Sequence, residues 1–216
     1  MADLITVVTP TWHRDASVLR AVLSVALQEY RPIQHVVVAD GPNPELRSLF
    51  KASSKAFLYS DYELEYAELP AHHDNSRWGH FARLEGIRRA KGDFVAYLDD
   101  DDEYLPNHLS ALMAMLKQDP QAGFSYSRIM IYDPGNPNIS GTDPPTYSGI
   151  STSAIAHRKA ILERVNWRDE GQDTIDWDIA QRWMAHGITW KHYPHVTCQA
   201  YRDAPNPDSP RQRILE

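Results

Sequence analysis

Four consecutive carboxylates, Asp99, Asp100, Asp101 and Asp102, directly follow the apolar run from Phe94 to Leu98. Charges this close repel and push one another's pKa upward unless a cation intervenes. Their oxygens suit Mg²⁺ or Mn²⁺, ions that bridge protein carboxylates to phosphate groups. The competing reading is a solvated acidic turn leading into a helix that starts near Pro106. Two more apolar runs end in residues with chemical potential. The first runs into Thr9-Pro10-Thr11 with His13 and Arg14 behind it, and the second into Asp40-Gly41-Pro42. A carboxylate such as Asp40 can accept hydrogen bonds from a nucleobase, and a glycine beside it lets a ligand approach the backbone. An Asp-Gly pair is also an ordinary turn.

These groups can cooperate only if the elements bearing them share an edge. The spacing predicts strands over residues 4–8, 33–39, 62–69 and 94–98, the first and last of them buried. Between them, amphipathic helices carry Val18, Leu19, Val22, Val25 and Ala26, then Leu46, Leu49 and Phe50, then residues 81–90. Ser17 is read as the cap of the first helix and Pro32 as its stop, with Pro44 opening the second. Strands alternating with helices argue for a mostly parallel sheet covered on its faces. In such sheets ligands gather outside the carboxyl ends of the strands, where all three clusters fall. The second half is less regular. A helix through Leu109, Leu112, Met113 and Leu116, a strand over 124–132, a Pro/Gly/Asn/Asp-rich loop over 133–145 and a helix over 175–185 are expected.

Composition narrows the partners. Twenty-two Lys and Arg stand against 29 Asp and Glu, a formal net charge of −7, which argues against nucleic acid as a partner. The single cysteine, Cys198, forbids an internal disulfide and suits a reducing compartment; a small buried thiol is its expected state. The N-terminus lacks the basic start and long apolar core of a signal peptide, and no uninterrupted apolar run is long enough to cross a bilayer. The chain therefore reads as cytoplasmic, with peripheral membrane contact left open. One domain over 1–203 is expected, with a nucleotide and metal half over 1–105, an acceptor half over 106–203 and a flexible tail over 204–216.

Taken together, Val8-Thr9-Pro10-Thr11-Trp12-His13-Arg14, Val38-Ala39-Asp40-Gly41-Pro42 and the stretch from Gly92 through Asp99-Asp100-Asp101-Asp102 to Pro106 resemble the family-2 glycosyltransferases of the GT-A fold. The likeness implies a Rossmann-like three-layer α/β/α fold around a mixed, mostly parallel sheet. It further implies an inverting transferase that uses Mn²⁺ or Mg²⁺ and a nucleotide-diphosphate sugar, by default a UDP-sugar, with a sugar, glycan or small-molecule acceptor. By that likeness Thr9, Pro10, Thr11, Arg14 and Asp40 line the nucleotide pocket, Asp99 and Asp101 form the Asp-x-Asp metal pair, and Asp99 and Asp100 lie near ribose and phosphates. Arg77-Trp78-Gly79-His80-Phe81-Ala82-Arg83 is similar to a donor-side segment of some members. Arg83 can pair with a diphosphate there or be a surface arginine of its helix. Asp173-Thr174-Ile175-Asp176-Trp177-Asp178 resembles the family's Glu-Asp-Trp-Asp motif, with Ile175 in place of the glutamate, and makes Asp176 the candidate base. Alternatively, Asp173 caps that helix and Asp176 stabilises its positive end. His157-Arg158 resembles a segment beside the acceptor pocket. Competing functions are a nucleotide-sugar binder without catalysis and a sugar nucleotidyltransferase; Thr9-Pro10-Thr11-Trp12 lacks the Gly-rich loop expected of the latter.

Overall fold

The computed structural model describes residues 3–53, 61–73, 79–133, 136–168 and 175–201. The expected tail over 204–216, the Arg77-Trp78 segment and Asp173 lie outside the described residues. Among those described, the order is β1 (Ile5–Thr11), α1 (Asp15–Ala26), β2 (Ile33–Ala39), α2 (Pro44–Ser53), β3 (Tyr62–Glu68), α3 (His80–Arg89), β4 (Phe94–Tyr97), β5 (Asp102–Tyr104), α4 (His108–Gln118), β6 (Ala122–Tyr132), β7 (Asn138–Ser140), β8 (Ile155–Arg158), α5 (Ile175–Ala185) and β9 (Thr189–Tyr201).

The strands form one mixed sheet in the order β3-β2-β1-β4-β8-β6-β9-β5, with β7 beside β6. β1 pairs in parallel with both β2 and β4, β2 with β3, and β6 with β9. β8 runs antiparallel between β4 and β6, so β4 and β6 share a direction and six strands point the same way. The period-2 alternation of each strand splits the core between two faces. Ile5 and Val7 of β1 and Phe94, Ala96 and Leu98 around β4 pack against α1 and α4. Val8, Val95, Tyr97, Phe124 and Tyr126 pack on the opposite face against Ile87 of α3 and Ile179, Ala180 and Trp183 of α5. Val37 meets Leu46 and Phe50 of α2 on the α1 side. Helices thus cover both faces, the expected three-layer α/β/α arrangement. No helix among the described residues is long and apolar enough to cross a membrane.

Local details depart from expectation for identifiable reasons. α1 starts at Asp15, and Ser17 sits within its first turn, donating to the Arg14 carbonyl at 3.1 Å instead of capping. The helix expected at Pro106 begins at His108. The 133–145 loop contains β7. β9 was not expected at all, because Pro194 interrupts it. Its ladder with β6 steps from Tyr193 to Val196 at a register shift, leaving Pro194 and His195 outside the pairing and the proline's missing N–H without consequence.

Candidate active site

The parallel register brings three strand ends together. Thr11 ends β1 beside Ala39 of β2, the Asp40 N–H donates to the Thr11 carbonyl at 2.9 Å, and the Leu98 N–H donates to Val8 at 3.1 Å. The carboxylate turn therefore emerges beside the threonine-proline turn. The Thr11 hydroxyl donates to Asp100 Oδ2 at 2.7 Å, Arg14 Nη1 donates to Asp100 Oδ1 at 3.0 Å, and the same guanidinium bonds Asp101. Arg83 Nη2 donates to Asp99 Oδ1 at 3.0 Å.

The four carboxylates are not equivalent. Asp100 and Asp102 are buried, whereas the Asp99 and Asp101 side chains keep 39% and 29% of their surface exposed. Desolvation lifts Asp100 to about 7 against the pull of Arg14, and Asp101 is raised by burial in the same contest. Asp102 is raised well above its usual value by burial and by the charges of Asp99 and Asp101. Ser153 holds the turn's two ends, accepting the Asp99 N–H at 3.0 Å and donating to Asp102. Burial would lower the Arg14 pKa, but Asp100 and Asp101 outweigh it and hold the guanidinium above its ordinary value. The turn already attracts a cation.

Hard carboxylate oxygens with two partly exposed members fit Mg²⁺ or Mn²⁺. Among the described residues no group of three His, Cys, Asp or Glu converges on one point. The partly exposed pair, Asp99 and Asp101, would be the residues to hold such an ion, since Mg²⁺ sites need only one or two protein carboxylates.

Around this centre the structure sorts the remaining candidates. Asp40 is 2% exposed, and its carboxylate faces His72 Nδ1 and His73 Nδ1, each at 3.2 Å. His72 stacks on Trp12 with centroids 4.0 Å apart and planes 8° off parallel. Gly41, at φ +121°, has no room for a Cβ, which would meet the Trp12 ring at 2.8 Å and the His72 nitrogen at 2.9 Å. His72 and His73 follow β3 and return to Asp40 at the end of β2, a contact that local sequence does not announce. Thr9, by contrast, is turned away from the carboxylates: its hydroxyl is 2.9 Å from His35 Nε2 inside the sheet. Pro10 is buried against Gly79, where an added Cβ would come within 2.8 Å of the proline ring.

Arg83 is 1% exposed, which overturns the surface-arginine reading. It projects inward because α3 lies tightly on β1, with Gly86 against Val8. Asp176 is half-buried in the first turn of α5 and accepts the Trp177 N–H at 2.9 Å. Burial raises its pKa, the Trp177 N–H opposes this, and the charges of Asp99 and Arg83 act on it in opposite directions. The second half thus sends one carboxylate into electrostatic range of the strand-end cluster. Cys198 is buried, as expected of a structural thiol.

The doubly covered, mostly parallel sheet with charged groups at its strand ends has the architecture of the GT-A fold, which the solved structures below share. The sequence model described as Glycosyl transferase family 2 matches residues 6–201, and the chain belongs to that family. A relative from Escherichia coli (strain K12), described as a putative colanic acid biosynthesis glycosyl transferase, WcaA, is 29% identical over 124 residues. That match covers 57% of this chain and 42% of the relative, so the chain spans less than half of that protein's length. Among solved structures, Pyrobaculum calidifontis mannosyltransferase PcManGT in complex with GDP-Man and Mn²⁺ superposes with a TM-score of 0.71 at 17% identity, covering 99% of this chain and 61% of that one. S. aureus TarS 1-349 in complex with UDP-GlcNAc gives 0.71 at 13% identity, covering 92% and 58%.

Proposed function

We propose that this chain is a metal-dependent inverting glycosyltransferase that moves a sugar from a nucleotide-diphosphate sugar, by default a UDP-sugar, to an acceptor hydroxyl. The observation that carries this reading is the joining of Thr11, Arg14 and Arg83 to the Asp99–Asp101 turn at the strand ends, with Asp176 in electrostatic range. Family membership and the Mn²⁺-bound structural neighbour support it.

In this reading Asp40, Trp12 and the neighbouring histidines bind the nucleoside, while Thr9 and Pro10 shape the floor beneath it. Arg14 and Arg83 meet the diphosphate as planar, always-charged partners for its oxygens. Asp100, with both oxygens occupied by Thr11 and Arg14, orients the arginine and the turn toward ribose and phosphates. Asp101 and Asp99 would hold Mn²⁺ or Mg²⁺, which when bound neutralises charge on the departing diphosphate as a Lewis acid. The acceptor oxygen attacks the anomeric carbon opposite the diphosphate, the carbon–oxygen bond to the diphosphate breaks, and configuration inverts. Asp176 takes the acceptor proton as general base. Its burial raises its proton affinity and so its strength in that role.

Asp176→Asn separates binding from chemistry. Donor affinity should stay within about twofold while turnover falls by roughly 10²–10⁴. Unchanged turnover would remove Asp176 from the reaction. Loss of both binding and turnover would place it in the donor pocket instead.

A further inference from the structure

Beneath Arg83 lies a chain of neutral groups that sugar transfer itself does not use. His157 on β8 is fully buried, with Nδ1 2.9 Å from the Arg158 carbonyl and Nε2 2.7 Å from the Tyr97 hydroxyl. The Trp167 indole nitrogen lies 2.9 Å from that same hydroxyl. Counting protons leaves one arrangement. The Arg158 carbonyl only accepts, so Nδ1 carries the proton of the neutral ring and Nε2 carries none. Tyr97 therefore gives its own proton to His157 Nε2, while its oxygen accepts from the Trp167 indole, which only donates. Burial pushes His157 down to about 4, which keeps the ring neutral and the arrangement intact at physiological pH.

Every member of the chain is satisfied, and it ends on a charge. The Tyr97 and Trp167 rings meet edge to face, 5.2 Å apart at 82°. The Arg83 guanidinium lies over the Trp167 ring at 5.3 Å, within cation–π range. Nη2 of this buried guanidinium is paired with Asp99, whereas Nε and Nη1 are buried without a hydrogen-bond partner among the described residues. Buried donors of a cation are costly to leave unpaired, so the complement that relieves them is an anionic oxygen brought by a ligand.

We infer that His157, Tyr97 and Trp167 are positioning residues that fix the plane of the Arg83 guanidinium for the donor's diphosphate. The inference rests on reading the strand-end cluster as the donor pocket. Tyr97 and Trp167 are locked by hydrogen bonds that no apolar isostere reproduces. A ring free to tilt would leave the arginine paired to Asp99 but misaimed at its second partner.

The test is calorimetric titration of UDP and UMP, and of GDP and GMP, each with Mn²⁺, into the full chain and its Trp167→Phe and Tyr97→Phe variants. Both variants should weaken the diphosphate that binds by about tenfold, the scale of one charge-assisted hydrogen bond, and leave the matching monophosphate unchanged. Arg83→Lys should weaken the diphosphate similarly, and adding Trp167→Phe to it should cost nothing more, since both act through one group. Equal losses for diphosphate and monophosphate, or a Trp167→Phe effect that adds in full to Arg83→Lys, would reduce the network to core packing and overturn the inference. Melting midpoints identify a variant that fails to fold; Tyr97→Phe removes a single oxygen and carries the same comparison should Trp167→Phe be too unstable. A wild-type chain that binds neither diphosphate would sink the donor-pocket reading, and this inference with it. Wild-type binding with normal affinity in both variants would sink the inference alone.

Discussion

Asp100 and Asp101 are adjacent, yet Thr11 and Arg14 occupy both oxygens of the first while the second keeps 29% of its side chain exposed. Neighbours in sequence therefore do different things. Asp100→Ala strips a partner from a buried hydroxyl and from Arg14, and should destabilise the fold by about 1–3 kcal/mol in chemical denaturation. Asp101→Ala should leave the denaturation midpoint nearly unchanged but weaken Mn²⁺-dependent donor binding by about 100-fold or more, since losing even an outer-shell partner of a metal costs about 10–100-fold. A stable Asp101→Ala chain that still binds donor with full Mn²⁺ dependence would take Asp101 out of the metal assignment. The same distinction explains why the acidic run was legible as a cluster but not in its parts. Four identical residues in a row carry no signal about which will be buried.

The strand ends converge only because elements pack closely enough to hold them there. α3 delivers Arg83 to Asp99 by lying against β1, and at Gly86 an added Cβ would fall 2.3 Å from Val8 Cγ1. Gly86→Ala should therefore cost about 1–3 kcal/mol by overpacking, with stability recovered in the Val8→Ala, Gly86→Ala pair. A single variant as stable as the parent would show that α3 can shift, and that Arg83 is less firmly held than described. β1, β2 and β4 were legible because apolar residues, many of them β-branched, concentrate where both faces are covered, and β3 because Tyr62, Leu64 and Tyr66 alternate with Glu63 and Glu65. β9 was hidden by Pro194, β5 by its acidic residue pair and its three-residue length, and β8 by the placement of His157 in a strand core. At the site, Asp40 and Arg14 could be found from their positions after apolar runs. His72, Ser153 and Trp167 could not, since each reaches the site across long sequence separations that only the folded topology closes.

At the scale of the molecule, burial of titratable groups ties stability to pH. His35, His108 and His157 are buried and pushed by desolvation to about 3, about 3 and about 4. Below the unfolded value of about 6.5 the unfolded chain binds protons that these folded rings refuse, so their contribution is complete above about 6.5 and is lost as pH falls toward 4 and 3. Asp100 has the opposite sign. Its folded value of about 7 lies above the unfolded one, so it favours folding at low pH and that support disappears as pH rises through 7. His35→Gln isolates one histidine from this sum. The parent's stability relative to that variant should fall by about 1.4 kcal/mol per pH unit from pH 6 to 4.5; a constant difference would mean that His35 takes up its proton in the folded state.

The central claim, a divalent cation joining the Asp99–Asp101 turn to a nucleotide diphosphate, is met most directly by calorimetric titration of UDP and GDP with Mn²⁺ and again with a chelator. One diphosphate should bind at least about tenfold more tightly with the metal, since an ion held by Asp99 and Asp101 would neutralise its charge. Equal affinity in the two conditions, or no binding of either diphosphate, would contradict it.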